Sequence, residues 1–155
     1  MKKIIFILTL FITSSCLSAG TTSASSDNTD NKDQIKILYN KAEKYIEENK
    51  YKKSLKVLKA LTKREDLSGF RADIYNLLGF SYRKLTNPDL DKSFAAYMMA
   101  IEIDPKHIGA HEYLGELYLM MNNKEKALEM LVKLESLSGI SSEEYLDLQK
   151  VINNY

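Results

Sequence analysis

Cysteine is almost missing from this chain. Cys16 stands alone among 155 residues, so no disulfide can close within the chain and no cysteine cluster can hold a metal. Tryptophan is absent, and only 6 Gly and 2 Pro are present. That scarcity argues against a sandwich or barrel, which spends Gly and Pro on many short turns. Neither sign of charge dominates: 22 Lys or Arg stand against 21 Asp or Glu, net +1. Nothing in that balance attracts nucleic acid, and none is expected as a partner. The most apolar run, Ile4 to Ile12, holds nine residues, and a membrane-crossing helix needs about 20. What remains is 45% hydrophobic and 28% charged, with 10 Tyr and 5 Phe. That composition suits one small helical domain and excludes a wholly disordered chain.

The amino end reads as an address. Met1-Lys2-Lys3 is basic, Ile4 to Ile12 is apolar, and Thr13 to Gly20 is mostly small. This is the order of a secretory signal, assigned to residues 1–19. A buried helix would need a polar face, and Ile4 to Ile12 has none. Ser14 and Ser15 before Cys16 resemble a bacterial lipoprotein processing site, where the cysteine is acylated and becomes the first mature residue. The family prefers Leu three places before the cysteine, and Thr13 stands there. The rival is plain cleavage after Ala19. Acylation or removal of Cys16 would each dispose of an exposed reactive thiol. Either route implies an exported, periplasmic protein, and acylation implies an outer-membrane anchor through Cys16. Residues 20–32 then read as a flexible tether. Eleven of the twelve residues from Gly20 to Asn31 are Gly, Ser, Thr, Asn or Asp, too polar to order themselves. Such a stretch reaches roughly 20 Å.

From Asp33 onward apolar residues recur at helical spacing and never alternate with period two. Six helices are expected between residues 33 and 137, and a seventh over residues 141–154. Ser141 or Ser142 would cap the last, with Glu143 and Glu144 in its first turn. The helices come in pairs that repeat. Leu78-Gly79-x-x-Tyr82 aligns with Leu114-Gly115-x-x-Tyr118, and more weakly with Lys41-Ala42-x-x-Tyr45. On the second helices Ser54, Ser93 and Ala127 align as small residues, and Leu58, Tyr97 and Leu131 as large ones.

This pattern resembles the tetratricopeptide repeat family, whose unit is about 34 residues. Tyr75, Leu78, Gly79, Tyr82, Tyr97, Ala100 and Pro105 fill the family pattern in the middle copy. Leu114, Gly115, Tyr118, Ala127 and Leu131 do so in the third. The first copy keeps Ala42, Tyr45, Ser54 and Leu58 but lacks Leu-Gly. The middle copy carries extra residues near Asn87-Pro88, placed in the turn inside the pair. The resemblance implies an all-α, right-handed solenoid of three helix pairs over residues 33–138 (about 35–67, 72–105 and 108–138), closed by a capping helix. Glycines are expected where helices cross closely. Tyr145, Leu148 and Ile152 are expected to cover the last pair, with Glu143, Glu144, Asp147 and Lys150 in water.

The resemblance also implies a binding surface. In this family the first helix of each pair lines a concave groove for peptides or helices. The matching positions are Lys36, Tyr39, Glu43 and Ile46; then Asp73, Asn76, Phe80 and Arg83; then Glu112, Glu116 and Leu119. Members that grip a terminal carboxylate use Lys, Asn and Arg, and here those positions hold Tyr39, Glu43, Leu77, Gly109 and Tyr113. That clamp is absent. Tyr39, Phe80 and Leu119 are expected as exposed apolar anchors.

Chemistry finds little footing. His107 and His111 share metal-ligand spacing, but no cysteine is near, so a packed His111 and a solvated His107 are expected. Met98, Met99, Met120, Met121 and Met130 show no Met-x-x-Met run for copper, so core packing is expected of them. No nucleophile motif or phosphate loop occurs, and Glu112 with Glu116 reads as a surface pair rather than a catalytic one. No enzyme and no cofactor are expected. Charge is uneven: residues 32–66 hold eleven Lys or Arg against six Asp or Glu, and residues 102–155 hold five against ten. Lys50, Lys52, Lys53, Lys56, Lys59 and Lys63 form a basic stripe, read as a solvated outer face or a dock for an anionic surface. The sequence thus describes an exported, non-enzymatic interaction module serving envelope assembly. The rivals are a periplasmic copper-handling protein and a cytosolic secretion chaperone.

Overall fold

The computed structural model describes residues 26–67 and 69–155, with side chains from residue 31 onward; Cys16 and the proposed signal lie outside these. Seven helices follow one another: α1 (Ser26–Glu47), α2 (Tyr51–Leu61), α3 (Arg71–Arg83), α4 (Leu90–Ile103), α5 (Ile108–Met120), α6 (Lys124–Ser138) and α7 (Glu143–Asn153). Among the described residues no helix is long and apolar enough to cross a membrane. Helices α1 and α2, α3 and α4, and α5 and α6 pack as antiparallel pairs. Each pair touches only its neighbours, and α7 packs on both α5 and α6. The fold is therefore an all-α solenoid of three helix pairs plus a terminal cap, as expected.

One correction falls at the start. Helix α1 begins at Ser26, inside the stretch read as tether. Once Ile35 and Ala42 are buried in the first core cluster, further helical turns need no new nucleus. The Asn31 side chain also accepts a hydrogen bond from Arg64, which ties this early turn to the end of the first pair.

The turns explain why the repeat is periodic. Asn49 and Asn122 take positive φ of 56° and 60°, a region Asn tolerates better than most residues. In all three pairs the residue before the second helix donates its amide to the carbonyl of the aligned tyrosine. Lys50 N reaches Tyr45 O at 2.7 Å, Asp89 N reaches Tyr82 O at 3.2 Å, and Asn123 N reaches Tyr118 O at 2.8 Å. Asp89 and Asn123 then cap α4 and α6 with their side chains, whereas Lys50 caps nothing. The extra residues of the middle copy lie where expected, between Arg83 and Leu90.

Close crossings fall at the aligned glycines. A Cβ on Gly79 would lie 2.6 Å from the ring of Tyr97, itself fully buried on α4. A Cβ on Gly115 would lie 2.5 Å from Leu148 on α7. Ser93, buried opposite, donates to the Gly79 carbonyl at 2.8 Å. Ser54 on α2 and Ser81 on α3 meet at 3.3 Å, joining the first pair to the second. Helix α7 is capped by Ser142, whose side chain accepts from Tyr145 N. It buries Leu148 and Ile152 against Leu119, Ala127 and Leu134. Burying one such leucine contributes about 1.5–3 kcal/mol. Of the α7 residues expected in water, Glu143, Asp147 and Lys150 are exposed and Glu144 is half-buried; Leu146 and Val151 are exposed beside them.

Candidate functional site

The first helices α1, α3 and α5 lie side by side, and α7 continues the row beyond α5. Residues about one repeat apart therefore meet along this face. At its near end Tyr39 packs on Phe70 with ring centroids 5.5 Å apart. Burial, then the carboxylates of Glu43 and Asp73, push its hydroxyl well above the ordinary tyrosine range. Lys36 is exposed, and Glu43 and Ile46 are half-buried. Asp73 accepts from His107 at 3.1 Å, and the other ring nitrogen of His107 accepts from Ala110 N at 3.1 Å. His107 is thus the cap of α5 and a strut between repeats, not a solvated side chain. Asn76 is buried, and its Oδ1 has no hydrogen-bond partner.

An aromatic and ionic cluster occupies the middle. Phe80 lies 5.1 Å from Tyr113 and 6.3 Å from Tyr51, centroid to centroid. The Arg83 guanidinium sits 5.4 Å from the centroids of both Phe80 and Tyr113. It pairs with Glu116 across the repeat boundary, and only 5% of the residue is exposed. Burial pulls its pKa down, but the Tyr97 hydroxyl and the Glu116 carboxylate outweigh that and hold it above its ordinary value. The Tyr97 hydroxyl lies beside the guanidinium without a well-formed hydrogen bond, and Arg83 Nε has none. Beyond Arg83, Glu112 is 7% exposed. Burial, and then the negative charges of Glu116, Glu144 and Asp147, push its carboxyl up to about 8.

The structure brings Asp73, Asn76, Phe80, Arg83, Glu112 and Glu116 onto adjoining helices of one face. It removes Leu119 from that set. Leu119 is 3% exposed and packs under α7, because the capping helix takes the surface a fourth pair would have covered. Arg83 is likewise a buried strut rather than a free side chain. The sequence reading missed Tyr113, which the family pattern assigned to an absent clamp; Glu144, assigned to solvent, is half-buried, while Asp147 is exposed as expected.

Elsewhere, expectations about sulfur and metal change. Met98, Met99, Met120 and Met121 are exposed rather than packed, and only Met130 backs the core. His111 is buried as expected, its Nε2 at 3.0 Å from the Pro105 carbonyl, and burial lowers its pKa. No cluster of three or more metal-ligating side chains occurs among the described residues. Three open clefts lie away from the first-helix face or at its edge. One of about 440 Å³ is lined by Leu38, Lys41, Tyr45, Lys53, Lys56 and Val57. Their shallow form gives them little claim over the ordered polar geometry of the first-helix face.

Residues 96–129 match the family model described as a tetratricopeptide repeat. The chain is 33% identical over 92 residues to Tetratricopeptide repeat protein 37 of Xenopus laevis, an alignment covering 59% of this chain and 6% of that protein. Its structure is similar to the translocator chaperone SycD of Yersinia enterocolitica type III secretion, with a TM-score of 0.69 and 18% identity. That superposition covers 88% of this chain and all of the other, and at this identity it speaks for the fold. The chain spans a small fraction of the frog protein, so the likeness there is one of repeats. Helix pairing, the buried small residues and the matched segment together support a tetratricopeptide-type protein-interaction module.

Proposed function

We propose that the chain is a non-enzymatic adaptor that holds an extended peptide or amphipathic helix of a protein partner against its first-helix face. One observation carries this. Half-buried Tyr39, Phe80 and Tyr113 stand on the first helices of the three pairs, alongside the unpartnered Asn76 Oδ1 and Arg83 Nε. Aromatic anchors beside polar groups in need of partners suit a peptide that supplies both apolar side chains and backbone groups. Export and tethering through Cys16 complete the reading, with envelope assembly as the setting. Its support there is the signal-like order of residues 1–19.

The test is capture of the envelope partner by variants of the two faces. Phe80→Ser with Glu43→Lys should weaken capture roughly thirtyfold, the loss of about 2 kcal/mol that truncating one aromatic hot spot produces. Lys52→Ala with Lys56→Ala, both exposed on α2, should change it little. Arg83 is left intact, since its removal would strand Glu116. If the lysine pair abolishes capture and the first-helix pair does not, the basic outer face is the working surface. A second reading draws on the likeness of fold to a secretion chaperone. It requires residues 1–20 to remain on the mature protein, which intact mass measurement decides.

A further inference from the structure

We propose that the groove of the first helix pair is a second docking site, for an acidic amphipathic helix of a protein partner. It encloses about 440 Å³ between α1 and α2. Half-buried Leu38, Tyr45 and Val57 line it together with exposed Lys41, Lys53 and Lys56. Every residue lining it aligns with one lining the groove of the second pair: Tyr45 with Tyr82, Lys53 with Lys92, Val57 with Ala96. The second groove has two further lining residues, Lys59 and Thr62, and both come from the end of α2. Lys59 Nζ lies 5.2 Å from the centroid of the Tyr82 ring. In the third pair Phe94 of α4 packs edge-on against the aligned Tyr118, with centroids 5.9 Å apart. In both later pairs, then, the second helix of the pair before reaches the aligned tyrosine. No described helix precedes α1, so Tyr45 has no such neighbour among the described residues. The repeat itself shows what fits there: one helix, laid as α2 lies on the second pair.

Charge says what that helix carries. The aligned lysine is ion-paired in both later copies: Lys92 meets Asp89 at 2.5 Å, and Lys126 meets Glu129 at 2.7 Å. In the first copy the positions of Asp89 and Glu129 hold Lys50 and Lys56. Lys53 stands 5.8 Å from the Tyr45 centroid and forms no ion pair among the described residues. The nearest carboxylate in the chain, Glu48, is engaged by Lys50 at 2.8 Å. No carboxylate lines the groove. Acidic side chains on an incoming helix supply what Asp89 and Glu129 supply later, and its apolar stripe covers Leu38, Tyr45 and Val57. Exposed ion pairs contribute little by themselves, so the stripe holds the helix and the lysines select it. Two occupants from this chain fit less well. Residues 1–25 carry Lys2 and Lys3 and no carboxylate. A second copy would have to present the end of its last pair, where α7 already packs on α5 and α6 in the place α1 would need.

The test titrates the nitrogen-15-labelled full chain with an acetylated amphipathic peptide of Leu, Ala and Glu in helical order, and with its twin carrying Lys for every Glu. Expected are saturable amide shifts at Tyr45, Lys53 and Val57 with the acidic peptide only. Lys41→Glu with Lys53→Glu, both exposed, should weaken that peptide at least about tenfold with helicity unchanged. Lys53→Gln, which removes one charge, should weaken it less. No saturable shift, equal binding of the Lys twin, or equal affinity in the double variant would each overturn the proposal. The same amides shifting on concentration of the protein alone would give the groove to a second copy. Vesicles rich in phosphatidylglycerol that bind wild type but not the double variant, where the peptide gives no shift, would give it to a lipid surface; either result overturns the acidic helix. Capture scored on Phe80 and Glu43 uses other residues, so the two readings fail separately.

Discussion

Replacing Glu112 by Gln should make the protein more stable, by an amount that depends on pH. The carboxyl is raised from 4.5 to about 8 in the folded chain, chiefly by burial and then by Glu116, Glu144 and Asp147. The folded state thus holds a proton that the unfolded state releases between those two values. Where the unfolded state binds fewer protons, stability falls as pH rises. Below pH 4.5 both states are protonated and the term vanishes; above pH 8 both are ionised and it reaches its full size. At about 1.4 kcal/mol per unit, the cost is about 1 kcal/mol at pH 5, about 3 at pH 7 and about 5 at pH 9. Gln carries no charge and escapes it, and in both proteins all other groups titrate alike. The difference between the two melting curves therefore isolates this residue. A change of 1 kcal/mol moves the melting point of a domain of this size by about 3–5 °C. The two should melt within a few degrees of each other at pH 5 and separate by roughly ten at pH 7, the variant higher. Calorimetry or far-ultraviolet circular dichroism at pH 5, 6, 7 and 8 reads this. Curves that stay parallel across that range, or a variant that melts lower throughout, would refute the uncompensated buried carboxylate.

Other consequences concern packing, capping and export. Gly79→Ala should lower stability by about 1–2 kcal/mol, because overpacking of about 1–3 kcal/mol outweighs the better helix propensity of Ala. The new Cβ meets the rigid, buried Tyr97 ring. Gly115→Ala should cost less, since it meets the methyl ends of Leu148, and equal melting of the two variants would contradict that ranking. Leu148→Ala should cost about 2–5 kcal/mol and expose α5 to amide exchange, the expected result if α7 is a true cap. His107→Ala removes both the cap of α5 and the bond to Asp73, and should cost about 1 kcal/mol or more, with faster exchange in the first turn of α5. Cys16→Ser should release the protein from membranes; a wild-type protein that takes up no fatty-acid label would leave plain cleavage near Ala19 as the route.

What was legible in the sequence, and what was not, divides along a physical line. Periodicity at 3.6 residues marks the face a helix buries, so α2 to α7 and their pairing could be read from Leu58, Tyr97, Leu114 and their counterparts. Glycines and small residues at fixed spacing mark close approach, and Gly79, Gly115 and Ser93 stand where helices touch. The start of α1 was not legible, because residues 26–32 carry no apolar pattern and follow the core by helix propagation. The candidate site was half legible. The family pattern names which helices face a ligand, and Phe80 and Glu116 lie on two of them, α3 and α5. The pattern assumes another pair beyond the third, however. Helix α7 replaces that pair, takes Leu119 into its own contact, and adds Glu144 and Asp147 to the charges around Glu112. Arg83 was misread for a related reason: a residue one turn from Phe80 looks free along one helix but meets Glu116 and Tyr113 from the next repeat. The pair Asp73 and His107 shows the same thing, 34 residues apart in the chain and bonded in space. Contacts of this kind belong to the stacking of repeats, and a periodic pattern within one helix carries no record of them.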